Sequence, residues 1–413
     1  MLRSILTTIF LSWIIALAGL AHAESTSKAP IKIGFIDPLS GPFAATGQFE
    51  LHTLNLLADE INQSGGVNGH PLKIIPYDNQ LNPKQSLVQL EKAIGDGARY
   101  IIQGNGSSVA SALLDSVDKY NRRNPKNPVL YLDHSAQDPS FTNERCSFWH
   151  FRFDSDVDMK TKLQTQWIAE QKNIKKVFLI NQDYVFGHEA AKVAQKMIKE
   201  QRPDIQIMGS LFVPLGKVKD FGPYIFQVKR SGADALITAS WGSDLTLLIR
   251  GMSDYGLNIP ILTQYANIPG TVTAIGPKGA GNVYLLSYFN GDFNSPVQKS
   301  REMELYKKSK VDYTAVQFGY MLHMLKKAAS QANSIDPTKV AFALEGLSYD
   351  GPDGAMTMRK DNHQILMPMF FSVLKDDMSP GLEGTNLGFH TVLAFDAQQS
   401  AMPTTCKMRR PKS

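Results

Sequence analysis

The chain has little cysteine, since Cys146 and Cys406 are the only two in 413 residues. A scaffold held by several disulfides, as in small secreted domains, is therefore excluded. No histidine stands at finger-like spacing from either cysteine, so a zinc site is not expected; the sequence predicts no metal and no cofactor. In an oxidising compartment the isolated pair favours one disulfide tying the end of the chain to its middle. Two buried free thiols are the alternative.

A large excess of one charge is also missing, because the formal net charge is only +5. Basic residues gather at the extreme tail, where Lys407, Arg409, Arg410 and Lys412 are typical of a solvated chain end. Nowhere do aromatic and basic residues interleave as in nucleic-acid binding surfaces. Nucleic acid is therefore not an expected partner.

No apolar run is as long as the about 20 residues that span a membrane. Residues 5–20 are mostly apolar, Arg3 precedes them, and Ala21-His22-Ala23 fits the small-x-small pattern of a secretory cleavage site. The sequence therefore predicts a signal peptide at residues 1–23 and an exported, periplasmic mature chain; a membrane anchor is the alternative. No cysteine lies near the cleavage site, which argues against lipid attachment.

Phosphate-binding motifs are absent from the opening stretch IKIGFIDPLSGPFAATGQFE, although a strand, a Pro- and Gly-rich turn and a helix follow one another there. Gly41 and Gly47 are separated by five residues and Gln48 follows, so the stretch is not a P-loop. It also lacks the G-x-G-x-x-G dinucleotide fingerprint. The turn is instead expected to bring backbone close to a small ligand.

A complete catalytic motif is missing as well. Ser108 in GNGSSVASA resembles the nucleophile of a hydrolase, but Ala110 stands where such a turn prefers glycine. Its acid and base partners cannot be identified among nine histidines. An exported hydrolase acting through Ser108 remains the alternative from another functional class, while the first prediction is no catalytic residue.

What is present is a regular alternation of apolar strands with amphipathic helices, in two separate blocks. Strands are predicted at residues 31–36, 72–78, 100–103 and 129–132, then at 176–181, 205–213, 235–240, 260–265 and 283–288. Helices are predicted at residues 49–63, 83–96, 107–122, 188–201, 220–231, 243–255, 298–308, 314–331 and 337–345, with further strands in the tail. Such alternation indicates an α/β fold with parallel sheets covered by helices. The length and the two blocks predict two lobes.

Ser107 and Ser108 lie where the third predicted strand gives way to a helix. Hydroxyl groups, unpaired backbone N–H groups and the positive end of the helix dipole would converge there. This arrangement suits a carboxylate. An ordinary helix-capping serine is the alternative interpretation.

Four segments together carry a resemblance to a known family. They are IKIGFIDPLSGPFAATG, ADEINQSGGVNGHPLKIIPYDNQLNPKQSLVQLEKAI, GNGSSVASA and NQDYVFGHEAAK, in this order behind the signal peptide. As a set they resemble the periplasmic solute-binding proteins of branched-chain amino acid ABC transporters. The resemblance implies a type I periplasmic binding fold, with two Rossmann-like lobes joined by a three-crossing hinge. It also implies a monomer with no catalytic role that delivers a small carboxylate ligand to membrane permease subunits.

The resemblance implies a division of the chain into segments. After the signal peptide, residues 24–150 would form the first part of the N-terminal lobe and residues 151–288 the first part of the C-terminal lobe. Residues 289–345 would return as helices to the N-terminal lobe. Residues 346–413 would cross the hinge and end the chain.

The resemblance also implies a set of ligand contacts. The family positions are occupied here by Ser107, Ser108, Ser135, Gln137 and Phe43 in the first lobe, and by Tyr184, Phe186, Trp241 and Tyr265 in the second. Gln137 replaces a usual threonine, which puts that side-chain contact in question. For the aromatic residues, core packing is the alternative.

One departure bears on the ligand. Amino-acid binders of this family present an acid from the second lobe to the ligand's ammonium group, near the position of Gln264 or Tyr265, and neither residue is charged. Asp244 would substitute only if its helix start turned inward. A buried ammonium without a partner costs several kcal/mol, so lack of the acid would select a ligand without that charge. A branched-chain or related amino acid is the family-level expectation, and an aromatic or other organic acid is the alternative.

Overall fold

The computed structural model of the chain describes residues 28–293 and 296–411, so the predicted signal peptide lies outside the described residues. The fold is mixed α/β and contains two main sheets, each at the centre of one lobe. Among the described residues, no helix combines the length and the apolar character needed to cross a membrane.

The first lobe is built on a five-stranded parallel sheet with strand order β2-β1-β3-β4-β5. The strands are β1 (Ile31–Asp37), β2 (Leu72–Asp78), β3 (Tyr100–Gln103), β4 (Leu130–Asp133) and β5 (His150–Arg152). Strands β3 and β4 are buried along their whole length, as expected when helices cover both faces of a parallel sheet.

The second lobe is built on a seven-stranded sheet with strand order β15-β14-β10-β9-β8-β6-β7. Its strands are β6 (Lys176–Gln182), β7 (Gln206–Val213), β8 (Ala235–Ile237), β9 (Ile261–Thr263), β10 (Val283–Ser287), β14 (Met369–Lys375) and β15 (Gly388–Phe395). The first five are parallel, and β14 and β15 add antiparallel. A small third sheet contains β11 (Ser348–Gly351), β12 (Gly354–Met358) and β13 (Ile365–Leu366).

Helices connect and cover these strands. They are α1 (Ala44–Gln63), α2 (Pro83–Gly95), α3 (Ser107–Arg123), α4 (Val157–Glu170), α5 (Val185–Gln201), α6 (Gly222–Ser231), α7 (Gly242–Asp254), α8 (Thr271–Ile275), α9 (Pro296–Ser309), α10 (Gln317–Gln331) and α11 (Pro337–Leu344). Although α10 and α11 follow the second lobe in sequence, α10 packs on α1 and α11 packs on β4. The chain therefore returns to the first lobe after β10.

The chain passes between the lobes after β5, after β10 and between β13 and β14. The end of β5 and the first passage contact the residue before β13, because Arg152 Nε donates to Gln364 Oε1 at 2.6 Å and Gln364 Nε2 donates to the Asp154 carbonyl at 2.7 Å. After β15 the tail turns back to the first lobe, where Cys406 forms a disulfide with Cys146 across a sequence separation of 260 residues. The end of the chain is thus covalently tied to the first lobe.

Sequence reasoning did not predict α4. Its N-cap is Asp156, whose side chain accepts from the Met159 N–H at 2.9 Å. The buried face of α4 mixes Leu163 and Trp167 with polar residues such as Lys160 and Gln164, so the apolar period that reveals a helix is weak. Strand β5, helix α8 and the small third sheet were also not predicted.

Candidate functional site

A cavity of about 80 Å³ lies between the two lobes, at the carboxyl ends of their parallel strands. Crevices outside these strand ends are where open α/β sheets bind ligands. The first lobe lines the cavity with Thr46, Phe49, Glu50, Asn105, Gly106, Ser107, Ser135 and Ala136, and the segment before α10 adds Thr314, Ala315 and Gln317. The passages and the second lobe add Asp154, Lys160, Tyr184, Trp241, Gln264, Tyr265, Asn267, Ile268, Ser287 and Tyr288.

Ser107 is the first residue of α3 and lines the cavity with 2% of its surface exposed. The N-cap is Gly106, whose φ of 85° lies in the left-handed region that glycine tolerates. Neither serine therefore caps the helix. Ser107 sits where unpaired N–H groups and the helix dipole favour an anion, whereas the half-buried Ser108 lies outside the cavity lining.

The segment after β4 also reaches the cavity, through Ser135 and Ala136. Both of their N–H groups donate to Asp133 Oδ1, at 3.1 Å and 2.8 Å. Those backbone donors are therefore engaged within the loop, and the hydroxyl of Ser135 hydrogen-bonds with Tyr265 on the opposite side of the cavity. Gln137 is buried outside the lining, and its Nε2 donates to the Tyr265 hydroxyl and to Asp154 Oδ2, the latter at 3.4 Å.

Tyr184, Trp241 and Tyr265 form the second-lobe wall of the cavity, and a fourth ring, that of Tyr288, lines it from the passage after β10. Trp241 Nε1 donates to the Tyr184 hydroxyl at 2.9 Å, which fixes both rings. Phe186 is buried behind them, with its ring centroid 6.0 Å from that of Tyr184 and 6.5 Å from that of Tyr265. Phe186 thus supports the wall without lining the cavity.

The lobes meet across the cleft at Phe43 and Trp241, whose ring centroids are 4.3 Å apart. Gly242, with φ of 62°, permits this approach, because a Cβ at that position would lie 2.8 Å from the Phe43 ring. Phe43 is buried in the contact and does not line the cavity. The two lobes are therefore in contact across the cleft.

Glu50 brings an acid to the first-lobe side of the cavity, from the buried stripe of α1. Asn105 Nδ2 donates to Glu50 Oε2, and His134 Nε2 lies 4.0 Å from the same oxygen. Burial raises the pKa of Glu50 to about 8, the positive field of His134 opposes this rise, and the charge of Asp37 adds to it. For His134, burial disfavours the charged form, but Glu50 and Asp37 outweigh burial and raise its pKa to about 9.

Asp37, Glu50 and His134 offer ligand-type atoms within 4.8 Å of one another. The carboxylate of Asp37, however, accepts from the N–H groups of Gly104 and Asn105 at 3.2 Å and 3.0 Å, from His134 Nε2 at 2.9 Å and from Gln103 Nε2 at 3.4 Å. Its oxygens are thus occupied within the protein. The cluster is a hydrogen-bonded network that holds Glu50 at the cavity.

Lys160 and Asp154 bring a buried ion pair to the other side of the cavity, with Lys160 Nζ 2.8 Å from Asp154 Oδ1. Burial lowers the pKa of Lys160, and the carboxylate of Asp154 opposes that effect. Sequence reasoning missed this pair because it did not predict α4. It also missed Glu50, although an acid on the apolar stripe of α1 was a readable signal.

Asp244 does not reach the cavity. It is buried at the start of α7, where its Oδ2 accepts from Gln182 Nε2 and from the Gly216 N–H, both at 2.8 Å. Burial raises the pKa of Asp244. Gln264 and Tyr265 do line the cavity but are uncharged, so the acids of the lining are Glu50 and Asp154.

Comparison with known proteins identifies the family. Residues 30–379 match the family model described as periplasmic binding protein. The chain belongs to the periplasmic binding protein family. It is 31% identical over 407 residues to the Leu/Ile/Val-binding protein homolog 4 of Brucella abortus, covering 96% of this chain and 97% of that relative. It is 25% identical over 349 residues to a leucine-, isoleucine-, valine-, threonine- and alanine-binding protein of Pseudomonas aeruginosa, covering 82% and 88%.

Solved structures agree with this periplasmic binding protein fold. The closed conformation of a leucine-, isoleucine-, valine-, threonine- and alanine-binding protein from Brucella ovis superposes with a TM-score of 0.82 and 28% identity, covering 92% of this chain and 100% of that one. A solute-binding protein from Rhodopseudomonas palustris in complex with p-hydroxybenzoic acid superposes with a TM-score of 0.75 and 21% identity, covering 90% and 98%. The latter likeness concerns the fold alone.

Within this periplasmic binding protein, the structure brings five of the residues predicted from sequence to one cavity: Ser107, Ser135, Tyr184, Trp241 and Tyr265. The other four do not line the cavity: Phe43 lies in the contact between lobes, Phe186 and Gln137 contact residues of the second-lobe wall, and Ser108 is half-buried on α3. The two-lobe α/β fold and the family predicted from sequence are confirmed.

Proposed function

We propose that this chain is the high-affinity extracytoplasmic component of an ABC importer, exported to the periplasm by a cleavable signal peptide and working as a monomer. It clamps a small carboxylate-bearing solute between its lobes and delivers it to membrane permease subunits. The observation that carries the proposal is the cavity between the lobes, with Ser107 at the N-terminus of α3 on one side and aromatic rings on the other.

The ligand carboxylate binds at Ser107 and the hydroxyl of Ser135, where the helix dipole and N–H groups stabilise negative charge. The remainder of the ligand packs against Tyr184, Trp241 and Tyr265. Closure follows if the ligand contacts both lobes, since a ligand with equal affinity for the open and closed forms would not shift the equilibrium between them.

A branched-chain or related amino acid is the first candidate ligand. The names of the relatives from Brucella abortus and Pseudomonas aeruginosa support it. Glu50 supports it as well, because its carboxyl group lines the first-lobe side of the cavity beside Asn105, where the ammonium group of the ligand would favour the ionised carboxylate and pair with it. The position of the acid thus differs from the second-lobe position expected for the family.

An aromatic or other organic acid is the second candidate, favoured by the three rings of the second-lobe wall. Burial raises the pKa of Glu50 and favours its protonated form, which would donate a hydrogen bond to such a ligand. A hydrolase acting through Ser108 has less support, because Ser108 lies outside the cavity lining and no histidine hydrogen-bonds to it among the described residues.

A thermal-shift screen of the mature chain against amino acids, benzoate-like acids and dicarboxylates tests the proposal. A true ligand at about 100 times its dissociation constant adds about 2.7 kcal/mol to the free energy of unfolding. Small-angle scattering of the same samples should show a smaller radius of gyration with the ligand, and chromatography should recover the ligand unchanged. No stabilisation by any acid in the screen would contradict the proposal.

A further inference from the structure

Lys160 is an unusual residue to find in the wall of a small cavity. Its exposed fraction is 3% and that of Asp154 is 2%, yet both line the space between the lobes. A buried ion pair is often replaced by apolar residues with no loss of stability, because desolvating two charges offsets their attraction. Stability alone therefore does not account for a lysine at this place.

The hydrogen-bonding capacity of Asp154 is already used by the protein. Its Oδ1 accepts from the Ser155 N–H at 2.8 Å and from the Tyr288 hydroxyl at 2.7 Å, and its Oδ2 accepts from Gln137 Nε2 at 3.4 Å. Lys160 Nζ adds contacts of 2.8 Å and 3.0 Å to the two oxygens. Asp154 therefore has little capacity left to accept from a ligand.

Lys160 has donors to spare. An ammonium carries three N–H groups, and Asp154 is its hydrogen-bond acceptor within the part of the chain that the structure describes. The rings of Tyr265 and Tyr288 flank the ammonium, with centroids 5.4 Å and 5.6 Å from Nζ. These rings stabilise the charge at the cavity wall, but they do not replace a hydrogen-bond acceptor.

We propose that Lys160 is a specificity-determining residue that donates to a hydrogen-bond acceptor on the ligand, in addition to the carboxylate held at Ser107. This inference rests on the proposed function, since it concerns the same cavity. Ser107 belongs to the first lobe and Lys160 to the second, so the two contacts address different parts of the ligand. The ligand class is then a carboxylic acid with a second oxygen function, such as a hydroxyl, carbonyl or further carboxylate.

The physical reason for selectivity is the buried donor. A ligand with a purely aliphatic end would displace water from Lys160 without replacing its hydrogen bond. A site built to hydrogen-bond an oxygen function discriminates strongly against the analogue that lacks it. We expect at least tenfold preference for the oxygen-bearing member of an isosteric pair.

Calorimetry with two isosteric pairs, L-threonine against L-valine and 4-hydroxybenzoate against 4-methylbenzoate, tests the inference, with L-leucine as a fifth ligand. The double variant Lys160→Met with Asp154→Asn removes both charges together, so neither is left buried and unpaired. The matched control is Lys175→Met with Asp204→Asn, which removes a surface lysine–aspartate pair 2.7 Å apart.

The expected result is that the wild type and the control prefer the hydroxyl-bearing acid of at least one pair by tenfold or more, and that the Lys160 variant loses this preference. If Lys160 had only a structural role, the double variant would bind both acids of a pair more weakly by the same factor. The ratio of the two affinities would then equal that of the wild type, which would overturn the inference. A wild type that shows no tenfold preference in either pair, or that binds L-leucine as tightly as the hydroxyl-bearing acid it prefers, would overturn the inference while leaving the proposed function intact. If no acid bound, either in this set or in the thermal-shift screen, both the inference and the proposed function would be contradicted.

Discussion

Phe43 in the first lobe and Trp241 in the second are in contact across the cleft, with ring centroids 4.3 Å apart and ring planes inclined by 37°. Trp241 also lines the cavity and is held by the Tyr184 hydroxyl. The same indole therefore faces the ligand space on one side and the opposite lobe on another. This position predicts that ligand binding and lobe closure are coupled through Trp241.

Replacing Phe43 by alanine should weaken ligand binding by about tenfold, or about 1.4 kcal/mol. The reason is that the closed form loses the ring contact, which contributes about 0.5–1.5 kcal/mol in aromatic pairs, while the open form loses little. Calorimetry with a ligand from the thermal-shift screen measures the change. Phe226→Ala is the matched control, because Phe226 is 56% exposed on α6. Equal affinities of the two variants would contradict the coupling.

Ser107→Ala should weaken binding of a carboxylate ligand by at least about tenfold, or about 1.4 kcal/mol, because the buried hydroxyl lines the cavity at the start of α3. Ser108→Ala should change affinity by less than about twofold, since its side chain lies outside the lining. Calorimetric titration of both variants compares the ligand affinities after the same substitution at two adjacent positions of α3. If Ser108→Ala proved the more damaging change, the assignment of the carboxylate site would be wrong.

The pKa values of Glu50 and His134 predict that stability falls as pH rises through the neutral range. Both folded-state values, about 8 and about 9, lie above the ordinary values of 4.5 and 6.5, so the folded state binds more protons than the unfolded state in this interval. For His134 the stabilisation is complete below pH 6.5 and is lost as pH rises through about 9. For Glu50 the loss runs from about pH 4.5 to about 8.

Urea unfolding at pH 5 and pH 8 measures this dependence. Glu50→Gln should flatten the profile between those pH values, because the amide does not titrate. Glu170→Gln, a change at an exposed position on α4, should leave the wild-type profile unaltered. A profile for Glu50→Gln that parallels the wild type would show that Glu50 is ionised alike in folded and unfolded chains.

Replacing Cys146 and Cys406 by serine should lower the free energy of unfolding by up to about 5 kcal/mol, the chain-entropy value for a loop of this length. The bond closes a separation of 260 residues and ties the tail to the first lobe. Neither cysteine lines the cavity, so the variant should keep its ligand affinity. Urea unfolding of the variant and of the wild type with and without a reducing agent measures the effect. An unchanged unfolding midpoint would show that the link adds no stability.

The sequence determined the elements whose apolar pattern is regular. Strands β2 and β3 were predicted with the bounds that the structure has, and α3 within one residue. Each of these elements packs into the core, and the residues that do so are apolar and therefore visible in the sequence. Residues directly after parallel strands, such as Ser107, Ser135 and Trp241, were also found, since strand ends of one sheet converge at one edge.

Only the tertiary structure decided which polar residues reach the cavity. Lys160 and Glu50 sit on buried helix faces where the local pattern predicts apolar residues, and Asp154 lies in the passage after β5. The partners Asp37, His134 and Tyr288 are distant from them in sequence. Phe43 and Phe186 read as cavity residues from their loops, yet packing across the cleft placed them beside it. Alternation of apolar residues determines a fold locally, whereas a buried charge is stabilised by neighbours that only the folded chain brings together.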